Sequence, residues 1–163
     1  RVFAVAVAVN YPWELAQSPL YEQPWAPGAM LWHCGLASAG DGAMVLLIVG
    51  AGRLLLRRGD WFARPGARGY FVMLALGLAL AVGVEWAAVR GLGWWAYSPR
   101  MPVVPVLGVG VAPVAQMLAL PPLIARLAAM RPRRPGGGAT LISRGVPAQA
   151  GPTCRPARGG RRA

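Results

Sequence analysis

The sequence has no lysine, one histidine (His33) and five acidic residues in 163. Its two cysteines, Cys34 and Cys154, cannot build a disulfide framework. One histidine and no Cys-x-x-Cys pair give no zinc site, and His33-Cys34 alone supplies two ligands where a site needs more. There is no Walker loop, no GxSxG elbow, no HExxH and no dinucleotide fingerprint. These absences exclude the common nucleotide, zinc and serine chemistries, so no metal and no cofactor are expected. Cys34 as a nucleophile has only its neighbour His33 to lower its pKa.

Charge is scarce as well. Only 13% of residues are charged and 56% are hydrophobic, about half the charge of an ordinary soluble domain. The net charge of +12 is misleading, because residues 131–163 hold eight arginines and no acid, leaving +4 (12 − 8) for residues 1–130. All 17 basic residues are arginine. With abundant Ala, Gly and Pro, this suggests a GC-rich bacterial genome.

What is present is apolar length. Residues 101–125 run for 25 positions without a charge, enough at ~1.5 Å per residue to cross a bilayer core of ~30 Å. Similar stretches occur at about 33–56 and 70–89. The spacing predicts spans at 33–56, 70–89 and 102–125, the last kinked by Pro105, Pro113, Pro121 and Pro122. Residues 2–9 are apolar before Asn10-Tyr11-Pro12 breaks the run. They read as the outer end of an N-terminally truncated first helix, the competing reading being the end of a secretory segment. The expected fold is all-α: a transmembrane four-helix bundle over 1–130 and a disordered Arg/Gly/Pro-rich tail over 131–163.

Arg53, Arg57, Arg58, Arg64, Arg68 and Arg126 fall on one side of these spans, with the tail; Arg90 and Arg100 fall on the other. The positive-inside rule then places loop 57–69 and the C-terminus in the cytoplasm of a bacterial inner membrane, with segments 11–32 and 91–101 outside. In the outer segment Pro12 opens a short helix, and Glu14, Gln17, Ser18 and Tyr21 share one polar face until Pro24 and Pro27-Gly28 break it. Its Trp and Tyr residues read as an interfacial belt. The tail lacks aromatic residues between its arginines, so nucleic acid is not an expected partner. Membrane lipid is, and a membrane-protein partner is a further option.

Inside the spans an acid is expensive, about 2.5–3.5 kcal/mol for Asp at a helix centre. Asp41 shares a helix face with Cys34, Ala37, Ser38 and Val45. Glu85 continues the small-residue row Gly77, Ala81, beside a second row of Ala75, Ala79, Gly83 and Ala87 that would also allow close helix packing. Two readings stay open. In one, Glu85, Asp41 and His33 carry acid–base chemistry in an outward-facing polar pocket whose ligand-binding groups are Glu14, Gln17, Tyr97 and Arg100. Its ligand would be lipid-like or amphipathic. In the other, the acids are interhelical glue, bonded to Ser38, Tyr97, Gln116 or Arg100, in a non-enzymatic partner or assembly subunit. Gln116 itself reads as an interhelical bond rather than a substrate ligand. A transporter fragment is a third option, weakened by the lack of an internal repeat.

The strings YPWELAQSPLY at 11–21, HCGLASAGD at 33–41, and Glu85 followed by WAYSPRMP at 95–102 resemble a group of small bacterial four-helix integral membrane proteins of unknown function. The resemblance covers about residues 10–128. It implies a four-span bundle and carries no activity. Sterol and carotenoid isomerases and cyclases share the architecture of small bundles with intramembrane acids, but none of their motifs occurs here.

Overall fold

A computed structural model describes residues 1–22 and 26–130, apart from the side chain of Pro27. The expectations for the tail, for Cys154 and for Pro24 lie outside the described residues. Four α-helices are described: α1 Val2–Gln17, α2 Pro27–Leu56, α3 Gly66–Glu85 and α4 Val111–Ala129. A π-helical stretch, Trp86–Leu92, prolongs α3, and two short strands, β1 Val103–Val104 and β2 Val109–Gly110, precede α4. The described residues form a single packed unit.

The helices differ from their expected bounds for local reasons. Asn10-Tyr11-Pro12 does not break α1, which continues to Gln17. Proline at position 12 only removes the donor to the Ala8 carbonyl, while the Asn10 amide donates to the Ala6 carbonyl at 2.9 Å and holds the turn. Pro27 does not end a segment but opens α2, its missing N–H matching a position where no intrahelical partner exists. His33 therefore lies a turn and a half inside the helix. Arg57 ends α2 in left-handed geometry, at φ 51° and ψ 33°. Pro65-Gly66 is not a loop turn but the start of α3.

The largest correction concerns residues 102–110. They were expected to begin the fourth span and instead form an antiparallel hairpin, pairing Val103 with Gly110 and Val104 with Val109. Pro102 and Pro105 cannot donate to a helical ladder. Gly108 takes φ +63°, the left-handed turn conformation that glycine adopts freely. The helix starts only at Val111 and runs 19 residues.

Glycine sets two helix contacts. A Cβ on Gly42 would stand 2.9 Å from the Phe3 ring, so α1 and α2 approach closely there. A Cβ on Gly77 would overlap the Met117 carbonyl oxygen. Pro121 lies four residues beyond Met117 and has no N–H, so that carbonyl lacks its helical donor. The gap left by the absent side chain lets the α3 backbone pack against it.

The apolar core occupies the end of the bundle beside loop 57–65. There Val45, Ile48, Met73, Leu120 and Ile124 enclose Trp61 and Phe62. The Trp61 indole donates to the Val49 carbonyl at 3.0 Å, and its ring fills the space above Gly52. Elsewhere the usual arrangement is inverted. Leu54 is 79% exposed and Phe71 74%, while Asn10, Gln17, Ser38, Asp41, Glu85 and Gln116 are buried. Three stretches among the described residues are long and apolar enough to cross a membrane: Gly28–Leu56, Gly66–Leu92 and Val111–Ala129.

Candidate functional site

The buried polar residues meet at the end of the bundle away from the Trp61 core. They surround a cavity of about 1060 Å³ lined by α1, α2, α3, α4 and residues 93–97. Its polar wall has two parts.

The first part is centred on Gln116 of α4. Its Nε2 lies 2.8 Å from Asn10 Oδ1, from Glu14 Oε1 and from Asp41 Oδ2. Gln17 Nε2 stands 2.6 Å from Glu14 Oε1 and 2.9 Å from Gln116 Oε1, and the Trp13 indole donates to Gln17 Oε1 at 3.2 Å. One amide thus ties α1, α2 and α4 together. Its nitrogen carries two hydrogens and faces three acceptors. Ser38, considered as a partner for Asp41, instead donates to the Cys34 carbonyl at 2.7 Å within its own helix.

The second part is Glu85, buried on the Gly77, Ala81 row as its spacing predicted. Three aromatic donors address it: Tyr97 by a short O–H bond, the Tyr21 hydroxyl at 3.4 Å and the Trp95 indole at 3.5 Å. The loops that carry these rings are pinned to each other. Tyr21 and Tyr97 form an antiparallel bridge, with Glu22 N–H donating to the Ala96 carbonyl and Ser98 N–H to the Leu20 carbonyl. The hairpin fixes the far side. Gly110 N–H donates to the Tyr97 oxygen at 2.9 Å, leaving the Tyr97 proton for Glu85. The hairpin in turn is held by the π-helical stretch. The Trp86 indole donates to the Leu107 carbonyl at 2.7 Å, and Arg90 donates to the Gly108 carbonyl at 3.3 Å while lying over the Trp86 ring. Burial, then the hydrogen bond to Glu85, pushes the Tyr97 phenol above its ordinary pKa. Burial, then the nearby Glu85 charge, does the same to Tyr21.

Of the candidate residues, Glu14, Gln17, His33, Asp41, Glu85 and Tyr97 all line the cavity. Glu14, Gln17, Ser18 and Tyr21 do so together, although α1 ends at Gln17 and they do not form one helical face. His33 Nδ1 lies 2.7 Å from the Ala29 carbonyl, which can only accept, so that nitrogen carries the proton. Arg100 is the exception. It is exposed, in the turn that follows the Tyr21–Tyr97 bridge, and does not line the cavity. Three participants were not foreseen as site residues. Glu22 lines the cavity, Trp95 donates to Glu85, and Asn10 accepts from Gln116, the amide foreseen as an interhelical bond, which also donates to Asp41. Asn10 reads locally as a breaker, and nothing in its neighbourhood points to a partner on α4. No group of three His, Cys, Asp or Glu residues among the described residues could hold a metal ion.

No protein family, curated protein or solved structure matches this chain.

Proposed function

We propose that this chain is an integral membrane protein whose cavity binds a lipid-like or amphipathic ligand from the outer leaflet of a bacterial inner membrane. The observation that carries this reading is the meeting of Glu14, Asp41 and Glu85, from three separate helices, on the wall of one large cavity. Volumes of about 300–1,000 Å³ are usual for small-molecule sites, and this cavity is at the upper end. Its mouth is formed by apolar groups that stay exposed, Leu36 at 63% and Trp94 at 71%. An amphiphile with its tail in lipid could enter there.

The inverted burial pattern supports the membrane part. So does the charge distribution. Arg1 donates to the Met130 carbonyl, which puts the start of α1 and the end of α4 at the end that bears Arg53, Arg57 and Arg64. The helices then alternate in direction, and the arginine-rich end is cytoplasmic by the positive-inside rule.

The two walls favour different roles. The Gln116 corner supports the glue reading for Asp41, since its bonds join three helices. Glu85 is bonded only by loop and rim aromatics, and it is the group we assign to the ligand.

The test uses Gly40, which lines the cavity and where a Cβ meets nothing within 4 Å. Gly40→Phe should fill the cavity without disturbing the backbone. Native mass spectrometry of the protein extracted in mild detergent should show a retained amphiphile in the wild type and none in Gly40→Phe. Equal retention by both proteins would place the bound lipid elsewhere and overturn the reading.

A further inference from the structure

The acids of this chain are not scattered. Of its five Asp and Glu residues, Glu14, Glu22, Asp41 and Glu85 all line the cavity. The fifth, Asp60, pairs with Arg58 at 3.2 Å at the other end of the bundle. The chain carries 17 basic residues, all arginine; nine are described, and none of these lines the cavity. Arg90, the nearest in sequence to Glu85, is engaged by Gly108 and Trp86. Among the described residues the cavity therefore gathers four acids and no arginine, with His33 its one basic side chain.

An anionic headgroup would be repelled from such a wall. A metal ion would need several ligands converging on one point, and the described residues offer no such group. What the wall does offer is a carboxylate surrounded by aromatic rings. Tyr21, Trp95 and Tyr97 each donate to Glu85, and Tyr21 and Tyr97 lie with ring centroids 5.7 Å apart at 50°. A carboxylate has about four lone-pair sites, so its charge remains available beside those donors. Aromatic faces with an acid between them are the chemistry that recognises an organic ammonium group. The lining also offers apolar, adaptable side chains, Met30, Met44, Met117 and Val84.

We infer that the ligand is an amphipathic organic cation, its ammonium head seated at Glu85 among Tyr21, Trp95 and Tyr97 and its alkyl tail directed to the mouth at Leu36 and Trp94. The inference rests on the ligand-pocket reading and narrows it to one charge class. Glu22, exposed where residues 18–22 meet residues 96–98, draws the cation toward the mouth.

The experiment uses the full chain in nanodiscs of zwitterionic lipid. Decyltrimethylammonium, decyl phosphate and decyl maltoside are titrated below their micellar concentrations, and tryptophan fluorescence is read. The cation should bind at least about tenfold more tightly than either of the others. Glu85→Gln should abolish that preference and keep the weak binding of the maltoside. Trp95→Leu removes a ring and no carboxyl. It should also reduce the preference, and it decides the matter if Glu85→Gln does not fold. Equal affinity for the three probes, or full cation preference in both variants, overturns the cation assignment and leaves the pocket standing. Absence of binding by any probe, or binding unchanged by Gly40→Phe, overturns the pocket as well.

Discussion

Replacing Gln116 by Leu probes the polar corner at nearly constant volume, so a stability change reports lost hydrogen bonds and not a cavity. The wild-type side chain faces four partners on other segments: Asn10, Glu14 and Asp41 on its nitrogen, and Gln17 on its oxygen. Hydrogen bonds between helices in membrane proteins average about 0.6 kcal/mol each, which sets a floor of about 2 kcal/mol for the three that two amide hydrogens and one oxygen make. The ceiling comes from groups left unpaired at about 1–3 kcal/mol each. Asn10 Oδ1 and one Gln17 hydrogen would be stranded, whereas Glu14 keeps its bond from Gln17. The expected loss is therefore about 2–5 kcal/mol. Reversible unfolding in mixed micelles measures it, and a double-mutant cycle with Asn10→Ala should show a coupling of at least about 0.5 kcal/mol. A loss below about 0.5 kcal/mol, within the range of an ordinary surface change, would refute the view that Gln116 ties three helices together. Cation binding at Glu85 should survive the substitution, because Gln116 does not touch that wall.

Other expectations follow from the same contacts. Gly77→Ala brings a Cβ onto the Met117 carbonyl and should destabilise by about 1–3 kcal/mol through overpacking; Gly83→Ala, where the added Cβ meets nothing within 4 Å, should be tolerated. The phenols of Tyr21 and Tyr97 are raised above the ordinary range, so their bonds to Glu85 are present below the ordinary tyrosine pKa and are lost only as pH rises through the folded value. Tyrosinate absorbance should show this as a late component that Tyr21→Phe and Tyr97→Phe each diminish; a titration complete at the ordinary value would contradict it. Tyr97→Phe also removes the acceptor for Gly110 N–H, and faster hydrogen exchange at Gly110 is the expected readout. For topology, a cysteine introduced at Gly93 should react with an impermeant thiol reagent in intact cells and one at Gly59 should not; the reverse pattern would invert the proposed orientation.

Much of this architecture is legible in the sequence, because it depends on short-range quantities. The apolar runs that overlap α2, α3 and α4, the burial of Asp41 with Cys34 and Ser38, and the placement of Glu85 on the Gly77, Ala81 row all follow from composition and helical spacing. Hydropathy alone cannot separate a span from an apolar hairpin, so residues 102–110 read as part of a span. Local turn chemistry at Pro102, Pro105 and Gly108 decided them. Proline signals mislead at Pro12 and Pro27 for a related reason. A lost donor breaks a helix only where a donor was needed, and tertiary packing holds α1 helical through Pro12. The site itself was decided by the fold. Asn10 meets Gln116 across 106 residues and Tyr21 meets Glu85 across 64, separations at which no periodicity carries information. Arg100 stays exposed in the turn after the bridge, outside the cavity lining. The sequence determined which polar residues must hide from an apolar surrounding. Only the packing of four helices, and the loops pinned at one end of them, decided which of those residues face each other across a cavity and which merely hold the helices together.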